Sequence, residues 1–248
     1  MDIIFIYLTI FIISTIQSIV GVGILVLGTP ILLLFNFSIL EIMKTLLPLS
    51  VFSSLINLII IKYLFNLKNL FELKLLKYFF ILCLPGVLIG LLFLKNFNEI
   101  FNFKLIVAFV ILVSIFLKLK FKNFFSLKFH LKKIFIFFIG FIHGLTNSGG
   151  TMLTLLLLNK NEKQSHFLRS QIHFFYLLLA FFQILFLKII DPVSYINDNL
   201  NLIILAIIIL TSSIIGNFIS YKHEKIINIL IFLLAFLASM ALIFKNFI

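Results

Sequence analysis

The sequence contains a single cysteine, Cys83, and only eight acidic residues among 248. One cysteine excludes an internal disulfide and falls short of a thiolate metal cluster. Spacings such as His-Glu-x-x-His, which hold a catalytic zinc, are also missing. Every carboxylate lies near a loop or at the edge of an apolar run: Asp2, Glu41, Glu72, Glu99, Glu162, Asp191, Asp198 and Glu224. We therefore expect no enzyme within the membrane, no bound metal and no cofactor.

Charged residues of either sign make up only 11% of the chain, whereas 63% is hydrophobic and the mean hydropathy is +1.28. A soluble domain of this size could not cover such a surface with polar groups. Several apolar runs of about 20 residues are bounded by lysines, which is typical of helices that cross a membrane. Alternating ten-residue strands are absent, which argues against an outer-membrane barrel. The composition predicts an all-α polytopic membrane protein.

The net charge of +12 does not indicate nucleic-acid binding. The lysines stand singly or in small groups between apolar runs, where they orient helices in the bilayer and attract anionic lipid. We expect membrane lipid, and not nucleic acid, as their partner.

Eight apolar runs divide into two sets of four, related by a shift of about 125 positions. They fall near 3–35, 45–64, 75–94, 103–119, 134–158, 170–189, 200–220 and 226–244. This pattern predicts a first membrane repeat over 1–120, a basic cytoplasmic linker over 121–133 and a second membrane repeat over 134–248. We expect the two halves to interlock.

The first run in each half contains a polar, glycine-marked break, at 17–23 and at 143–151. In lipid, an interrupted helix survives only where protein or a water-filled cavity surrounds its free backbone groups. Paired breaks in two halves of a membrane protein indicate the binding site of a transporter.

The first run also decides the topology, because 33 helical residues would extend about 50 Å across a core of about 30 Å. If each broken run folds back as a re-entrant hairpin, six crossings remain, and one side of the membrane collects 15 of the 20 basic residues. If each broken run crosses instead, eight simple crossings give 12 against 8. Positive charge concentrates on the cytoplasmic side, so hairpins are favoured. Three further helices per half would then place the two repeats in inverted orientation.

The first break resembles a signature of the TauE/SafE family of membrane transporters, which reads Gly-x-Gly-Gly-Gly with a proline nine positions after its first glycine. Gly21, Gly23 and Pro30 match that frame. Ile24 and Leu25 stand where the family usually has further glycines.

Within the second break, residues 144–150 resemble the family's second signature, and Arg169 opens the following helix as in the family. Asn147 replaces an expected glycine, and no proline follows Gly150. The resemblance covers nearly the whole chain. It implies export or uptake of a small anion, such as sulfite or a sulfonate, across a bacterial inner membrane.

Short helices are expected after both breaks, at Ile24–Phe35 and Met152–Leu158, with their N-termini inside the membrane. Such ends carry unpaired N–H groups and a partial positive charge, which favour an anion. We expect the solute-binding residues to be Gln17, Ser18, Gly21, Gly23, Thr45, His143, Thr146, Asn147, Ser148, Gly149, Gly150, Thr151, Arg169 and His173. The alternative is that glycines and small hydroxyls only let helices pack closely.

Two charged or titratable groups in this set have more than one interpretation. His143 could bind the anion, carry a coupled proton or bond a backbone carbonyl. Arg169 could attract anions at the cytoplasmic side or extend to the lipid headgroups.

The sequence thus predicts a multi-pass secondary transporter of a small anion in the bacterial inner membrane, working by alternating access. A proton is a possible coupling ion, and a homodimer is a possible assembly. An anion channel and a membrane assembly factor without transport are the alternatives.

Overall fold

A computed structural model describes residues 3–67, 69–120, 129–157, 165–192 and 201–247. Within these ranges the regular structure is helical, with ten α-helices, one π-helical segment and no strand. The α-helices are α1 Ile3–Val20, α2 Ile24–Leu34, α3 Ile39–Phe65, α4 Leu73–Tyr78, α5 Leu84–Phe97, α6 Phe103–Lys120, α7 Phe129–Thr146, α8 Gly149–Leu157, α9 Ser165–Ile190 and α10 Leu202–Phe247.

Among the described residues, four stretches are long and apolar enough to cross a membrane: Ile39–Phe65, Leu73–Phe97, His166–Ile190 and Leu202–Ser220. Large apolar side chains such as Phe109 on α6 and Ile203 on α10 are exposed, whereas polar side chains such as Asn57 and Gln183 are buried inside. This distribution is the reverse of a soluble protein and suits a hydrocarbon solvent. The prediction of an all-α polytopic membrane protein is confirmed.

The first break separates α1 from α2, which folds back along it. The break ends at Gly23, where a Cβ would lie 2.8 Å from the Ile13 carbonyl and 2.6 Å from the Gln17 nitrogen. The rings of Phe5 and Phe35, at the far ends of the two helices, lie 5.3 Å apart. The chain therefore returns to the end from which it started.

The second break separates α7 from α8 in the same way. A Cβ on Gly149 would lie 2.6 Å from the Ile139 carbonyl and 2.5 Å from the Cβ of His143. Gly149 follows Gly23 by 126 positions, and the residues that it touches follow those that Gly23 touches by the same offset. The two hairpins thus make equivalent contacts at equivalent positions.

Both turns also use the same left-handed backbone conformation at the same offset. Gly21 has φ +97° and Asn147 has φ +61°. The amide of each donates to the carbonyl four residues earlier, over 2.7 Å and 2.9 Å. Asparagine tolerates this conformation better than other residues with a side chain, which explains why it can replace the expected glycine.

Each hairpin packs against a helix from the other half of the chain. Gly90 on α5 rests against the backbone of Phe141 on α7, and Gly216 on α10 rests against the Thr15 carbonyl on α1. Only a residue without a side chain allows such an approach. The halves interlock, as expected, although the division into repeats 1–120 and 134–248 stays a prediction.

Helices α3 and α9 run antiparallel through the middle of the molecule. The Phe65 and His166 rings stack at one end, 3.5 Å apart. At the other end Lys44 and Asp191 form an ion pair of 2.7 Å. Both hairpin tips lie against this central pair, beside Ser50 and Ser54 on α3 and Ile172 and Tyr176 on α9.

The third apolar run forms one continuous helical element from Leu73 to Phe97, which contains a π-helical segment at Phe79–Cys83. This segment lies just before Pro85, which has no N–H group to donate to a helical hydrogen bond. There the Leu84 amide bonds the Phe79 carbonyl.

The last two apolar runs, near 200–220 and 226–244, are not separate elements, because α10 is helical throughout. A straight helix of 46 residues would extend about 69 Å. However, the Asn201 amide at one end bonds Tyr7, and Lys245 at the other bonds the Leu34 carbonyl, close to the same hairpin base. The element is therefore not straight along its length.

The predicted linker 121–133 is only partly described. Residues 121–128 lie outside the described ranges, and 129–133 belong to the first turns of α7.

Candidate functional site

The N-termini of α2 and α8 approach each other at Tyr176 on α9. The Tyr176 ring covers Gly150 in the first turn of α8. Its hydroxyl lies beside the backbone amides of Leu25 and Val26 in the first turn of α2, without a hydrogen bond of normal geometry. Tyr176 is fully buried. One side chain therefore spans the gap between the two helix ends.

Gln17 has a structural role at the first break. Its Oε1 accepts a 3.0 Å hydrogen bond from the Ile24 amide, and its Nε2 donates to Ser54 over 3.1 Å. The side chain caps α2 and fastens it to α3, so its donor does not face a solute. The next amides, those of Leu25 and Val26, are the ones that face Tyr176.

At the second break, Asn147 and Gln183 form a pair of amides. Gln183 Nε2 donates to Asn147 Oδ1 over 3.0 Å and lies 3.4 Å from the His143 carbonyl. Asn147 Nδ2 and Gln183 Oε1 are buried with no hydrogen-bond partner. Such groups are costly unless something polar occupies the space beside them.

The small hydroxyls of the second break have local roles. Thr146 donates to the Ile142 carbonyl over 2.7 Å, and Thr151 donates to the Ser148 carbonyl over 2.8 Å. Ser148 lies 3.2 Å from the Thr146 carbonyl. Their protons are thus directed at the backbone, where they stabilise the turn. Asn147, which was also expected at the site, has a side-chain NH2 group without a partner, and the hydroxyl of Tyr176, which was not expected, also lacks one.

Both buried histidines near the breaks have ring nitrogens without partners. The His143 ring lies 6.1 Å from that of Tyr176, centroid to centroid. His173 lies one turn before Tyr176 on α9, and all four ring nitrogens of the two histidines lack a hydrogen bond. Of the three alternatives for His143, a hydrogen bond to a backbone carbonyl is therefore not found.

A polar stripe runs along one face of α9 with the spacing of successive helical turns. It consists of Arg169, His173, Tyr176 and Gln183, each no more than 3% exposed, with Ala180 between the last two. The stripe extends from the start of α9 past the first break to the second. These side chains thus form one continuous polar stripe on a helix that is largely apolar.

Arg169 does not extend to the headgroups, because it is buried beside the first break. Its guanidinium donates to the Ser18 carbonyl over 2.7 Å, to Asn217 Oδ1 over 2.8 Å and to Ser220 Oγ. It thereby links α9 to the last turn of α1 and to α10. It also lies within electrostatic range of His173.

Ser18 belongs to a satisfied network between α1, α3 and α10. Its hydroxyl donates to the Ser14 carbonyl over 2.9 Å and accepts from Asn57 over 3.0 Å. Asn57 in turn accepts from Asn217 over 2.6 Å. The network holds the first hairpin in place, and its polar side chains bond one another or the backbone.

Thr45 is not brought to the breaks. It lies near the start of α3, and its hydroxyl donates to the Glu41 carbonyl over 2.9 Å. Gly21, Gly23, Gly149 and Gly150 serve conformation and close approach, since a Cβ on any of them would overlap a neighbouring atom. Among the described residues, no group of three or more His, Cys, Asp and Glu could hold a metal ion.

Tyr176 was missed by the sequence reasoning, although one signal pointed to it. It lies seven positions after Arg169 and three after His173, on the same helical face as these two predicted residues. A tyrosine in an apolar run is usually core, so spacing alone did not separate it from its neighbours.

The family model described as "Sulfite exporter TauE/SafE" matches residues 6–242. The match includes both hairpins and the polar stripe on α9. No curated protein and no solved structure matches the chain.

Proposed function

Since the chain belongs to the TauE/SafE family of sulfite exporters, we propose that it moves a small sulfur-containing anion across the bacterial inner membrane. The family is one of membrane transporters, and the helices of this chain suit a multi-pass protein. Substrate, direction and the alternating-access mechanism are parts of the proposal.

The observation that carries the proposal is the meeting of two interrupted helices at Tyr176. A helix N-terminus carries about half a positive elementary charge and unpaired amides. Two such ends facing one space supply about one positive charge without a lysine or arginine in contact with the solute. An anion held this way is bound by many weak donors, which allows release.

The proposed site contains the Leu25 and Val26 amides, Tyr176, His143 and the Asn147–Gln183 amide pair. Buried donors and acceptors without partners support this choice, because they have lost water and have not gained protein partners. Gln17, Ser18, Thr146, Ser148 and Thr151 support the site by fixing its backbone.

We propose further that both hairpins are re-entrant and that the repeats are inverted. The equivalent contacts of Gly23 and Gly149 and the return of Phe35 to Phe5 support this topology. Because each hairpin packs on a helix from the other half, rocking of one half against the other would move a hairpin with its partner. That motion could expose the site to the two sides in turn.

Labelling of single cysteines tests the topology. In a variant with Cys83 replaced by serine, cysteines at Ile4 and Asn36 are expected to react with a membrane-impermeant reagent from the same side. A cysteine at Asn66, at the other end of α3, is expected to react from the opposite side. All three positions are exposed. Opposite labelling of Ile4 and Asn36 would overturn the first hairpin.

Transport is tested by tracer sulfite efflux from proteoliposomes, with and without an imposed proton gradient. Competition by sulfate, sulfonates and carboxylates defines the solute class. Saturable sulfite flux that a proton gradient accelerates would support a coupled carrier. Flux at rates far above those of carriers and without saturation would favour a channel, whereas no flux of any anion would favour an assembly role.

A further inference from the structure

The unpartnered atoms of the amide pair are one donor and one acceptor. Asn147 Nδ2 can donate and Gln183 Oε1 can accept, and both are buried beside the first turn of α8. This result does not depend on which way the pair is oriented, because two side-chain amides joined by one N–H···O=C bond leave the NH2 group of one and the carbonyl oxygen of the other. The His143 carbonyl, 3.4 Å from Gln183 Nε2, favours the orientation described.

A fully deprotonated anion cannot satisfy this pair. All its oxygens are acceptors, so one of them would face Gln183 Oε1 without a proton between them. An anion that keeps one O–H group can donate to Gln183 Oε1 while its charged oxygens accept from Asn147 Nδ2, Tyr176 and the helix amides.

The charge of the site leads to the same conclusion. The two helix ends together match about one negative charge. Among the described residues, the buried cation on this face of α9 is Arg169, which lies about 10 Å along the helix from Tyr176 and donates to Ser18, Asn217 and Ser220. A second negative charge on the solute would therefore be buried without a matching cation, which is costly.

We propose that the site selects a singly charged oxyanion that retains an O–H group, hydrogen sulfite being one, over dianions and over monoanions without an O–H. This inference rests on the proposed function and specifies the protonation form of the solute that crosses the membrane.

The experiment uses a panel of anions at one mildly acidic pH, so that titration of the protein is not a variable. The titratable groups near the amide pair are His143 on α7 and Tyr176 and His173 on α9. On α3, Lys44 lies next to Met43 but is paired with Asp191. Tracer sulfite flux is measured against hydrogen sulfite, methanesulfonate and sulfate. Methanesulfonate has the same charge as hydrogen sulfite, but its sulfur carries a methyl group and three acceptor oxygens and no hydroxyl.

In the unmodified protein, hydrogen sulfite is expected to compete at concentrations about tenfold or more below methanesulfonate, with sulfate weaker still. Gln183→Met removes the acceptor at similar size. It is expected to reduce the advantage of hydrogen sulfite to about twofold or less, while methanesulfonate competes as before or better. Gln171→Met, the same change on another face of α9, is the control and should keep the original ranking.

Equal competition by hydrogen sulfite and methanesulfonate in the unmodified protein would overturn the inference and leave the transport proposal intact. So would equal losses for both anions in Gln183→Met. Absence of flux for every anion in a monodisperse protein would instead overturn the proposed function itself. The ranking in the unmodified protein decides the question even if the variant fails to fold.

Discussion

The phenol ring of Tyr176 lies directly over the α-carbon of Gly150, so closely that a Cβ there would overlap ring atom Cε2 and contact Cδ2 at 3.1 Å. Gly150→Ala must therefore displace the ring from the amides of Leu25 and Val26. Because small misplacements at a binding site have large effects, we expect sulfite flux to fall about tenfold or more. The protein should still insert and purify as a monodisperse species, since the overlap involves one movable side chain.

Gly28→Ala is the matched control for this substitution. A Cβ on Gly28 would lie 2.7 Å from Leu46 Cδ1 and 3.0 Å from Ile13 Cδ1, the ends of two flexible side chains, and its nearest neighbours do not include Tyr176. We expect its flux to stay within about twofold of the unmodified protein. Equal losses in both variants would mean that Gly150 has only a packing role.

Asn147 combines two properties that substitutions can separate: a left-handed backbone and an amide side chain. Asn147→Gly keeps the conformation at φ +61° and removes only the amide. We expect normal thermal stability and a loss of flux of about tenfold or more. Asn147→Leu removes the amide and adds backbone strain of about 1–2 kcal/mol, so both stability and flux should fall. Full flux in Asn147→Gly would exclude the side chain from the site.

Arg169 links three helices through a planar group with several donors. Arg169→Lys keeps the charge, but one ammonium cannot reach the Ser18 carbonyl, Asn217 and Ser220 with the same geometry. We expect flux to fall and the apparent melting temperature to fall with it, because the link to α1 and α10 is lost. Lys62→Arg, at an exposed position near the end of α3, controls for exchange of the two basic residue types. A lysine variant with unchanged flux and melting temperature would show that charge alone suffices.

Much of the membrane architecture could be predicted, because hydrocarbon imposes simple constraints on sequence. Runs of apolar residues revealed the helices, and the glycine pairs Gly21/Gly23 and Gly149/Gly150 revealed both breaks. The length of a helix relative to the bilayer was enough to suggest that the first run folds back.

The chemistry of the site was less predictable, because hydrogen bonds depend on what a side chain meets. Gln17 looked like a donor for a solute, yet it caps Ile24. The Thr151 hydroxyl donates to the nearby Ser148 carbonyl, whereas the side-chain oxygen of Gln183 accepts no hydrogen bond. Arg169 can be buried because it donates to the Ser18 carbonyl and to Asn217. Both partners are distant in sequence, so the sequence alone could not identify them.

The start of α3 supplies a prediction about pH. The Ser38 hydroxyl accepts from the Glu41 amide, and the Glu41 carboxylate accepts from the Ser38 amide and hydroxyl at 2.8 Å each. These bonds, chiefly that of the Ser38 amide, lower the pKa of Glu41, which is exposed in the first turn of α3, before the apolar run that begins near residue 45. The ionised carboxylate therefore stabilises the folded protein at and above the ordinary pKa of glutamate. That stabilisation is lost as the pH falls through the lowered value.

Glu41→Gln should accordingly be less stable than the unmodified protein at neutral pH. The difference should shrink as the pH falls below the ordinary glutamate range, because both proteins are then uncharged at this position. Ser38→Ala removes the cap itself and should cost about 1 kcal/mol. Thermal unfolding in detergent at neutral and acidic pH measures both effects, and Glu99→Gln, in the exposed turn before α6, controls for loss of a carboxylate. A gap between Glu41→Gln and the unmodified protein that stays constant with pH would contradict the capping role of the ionised form.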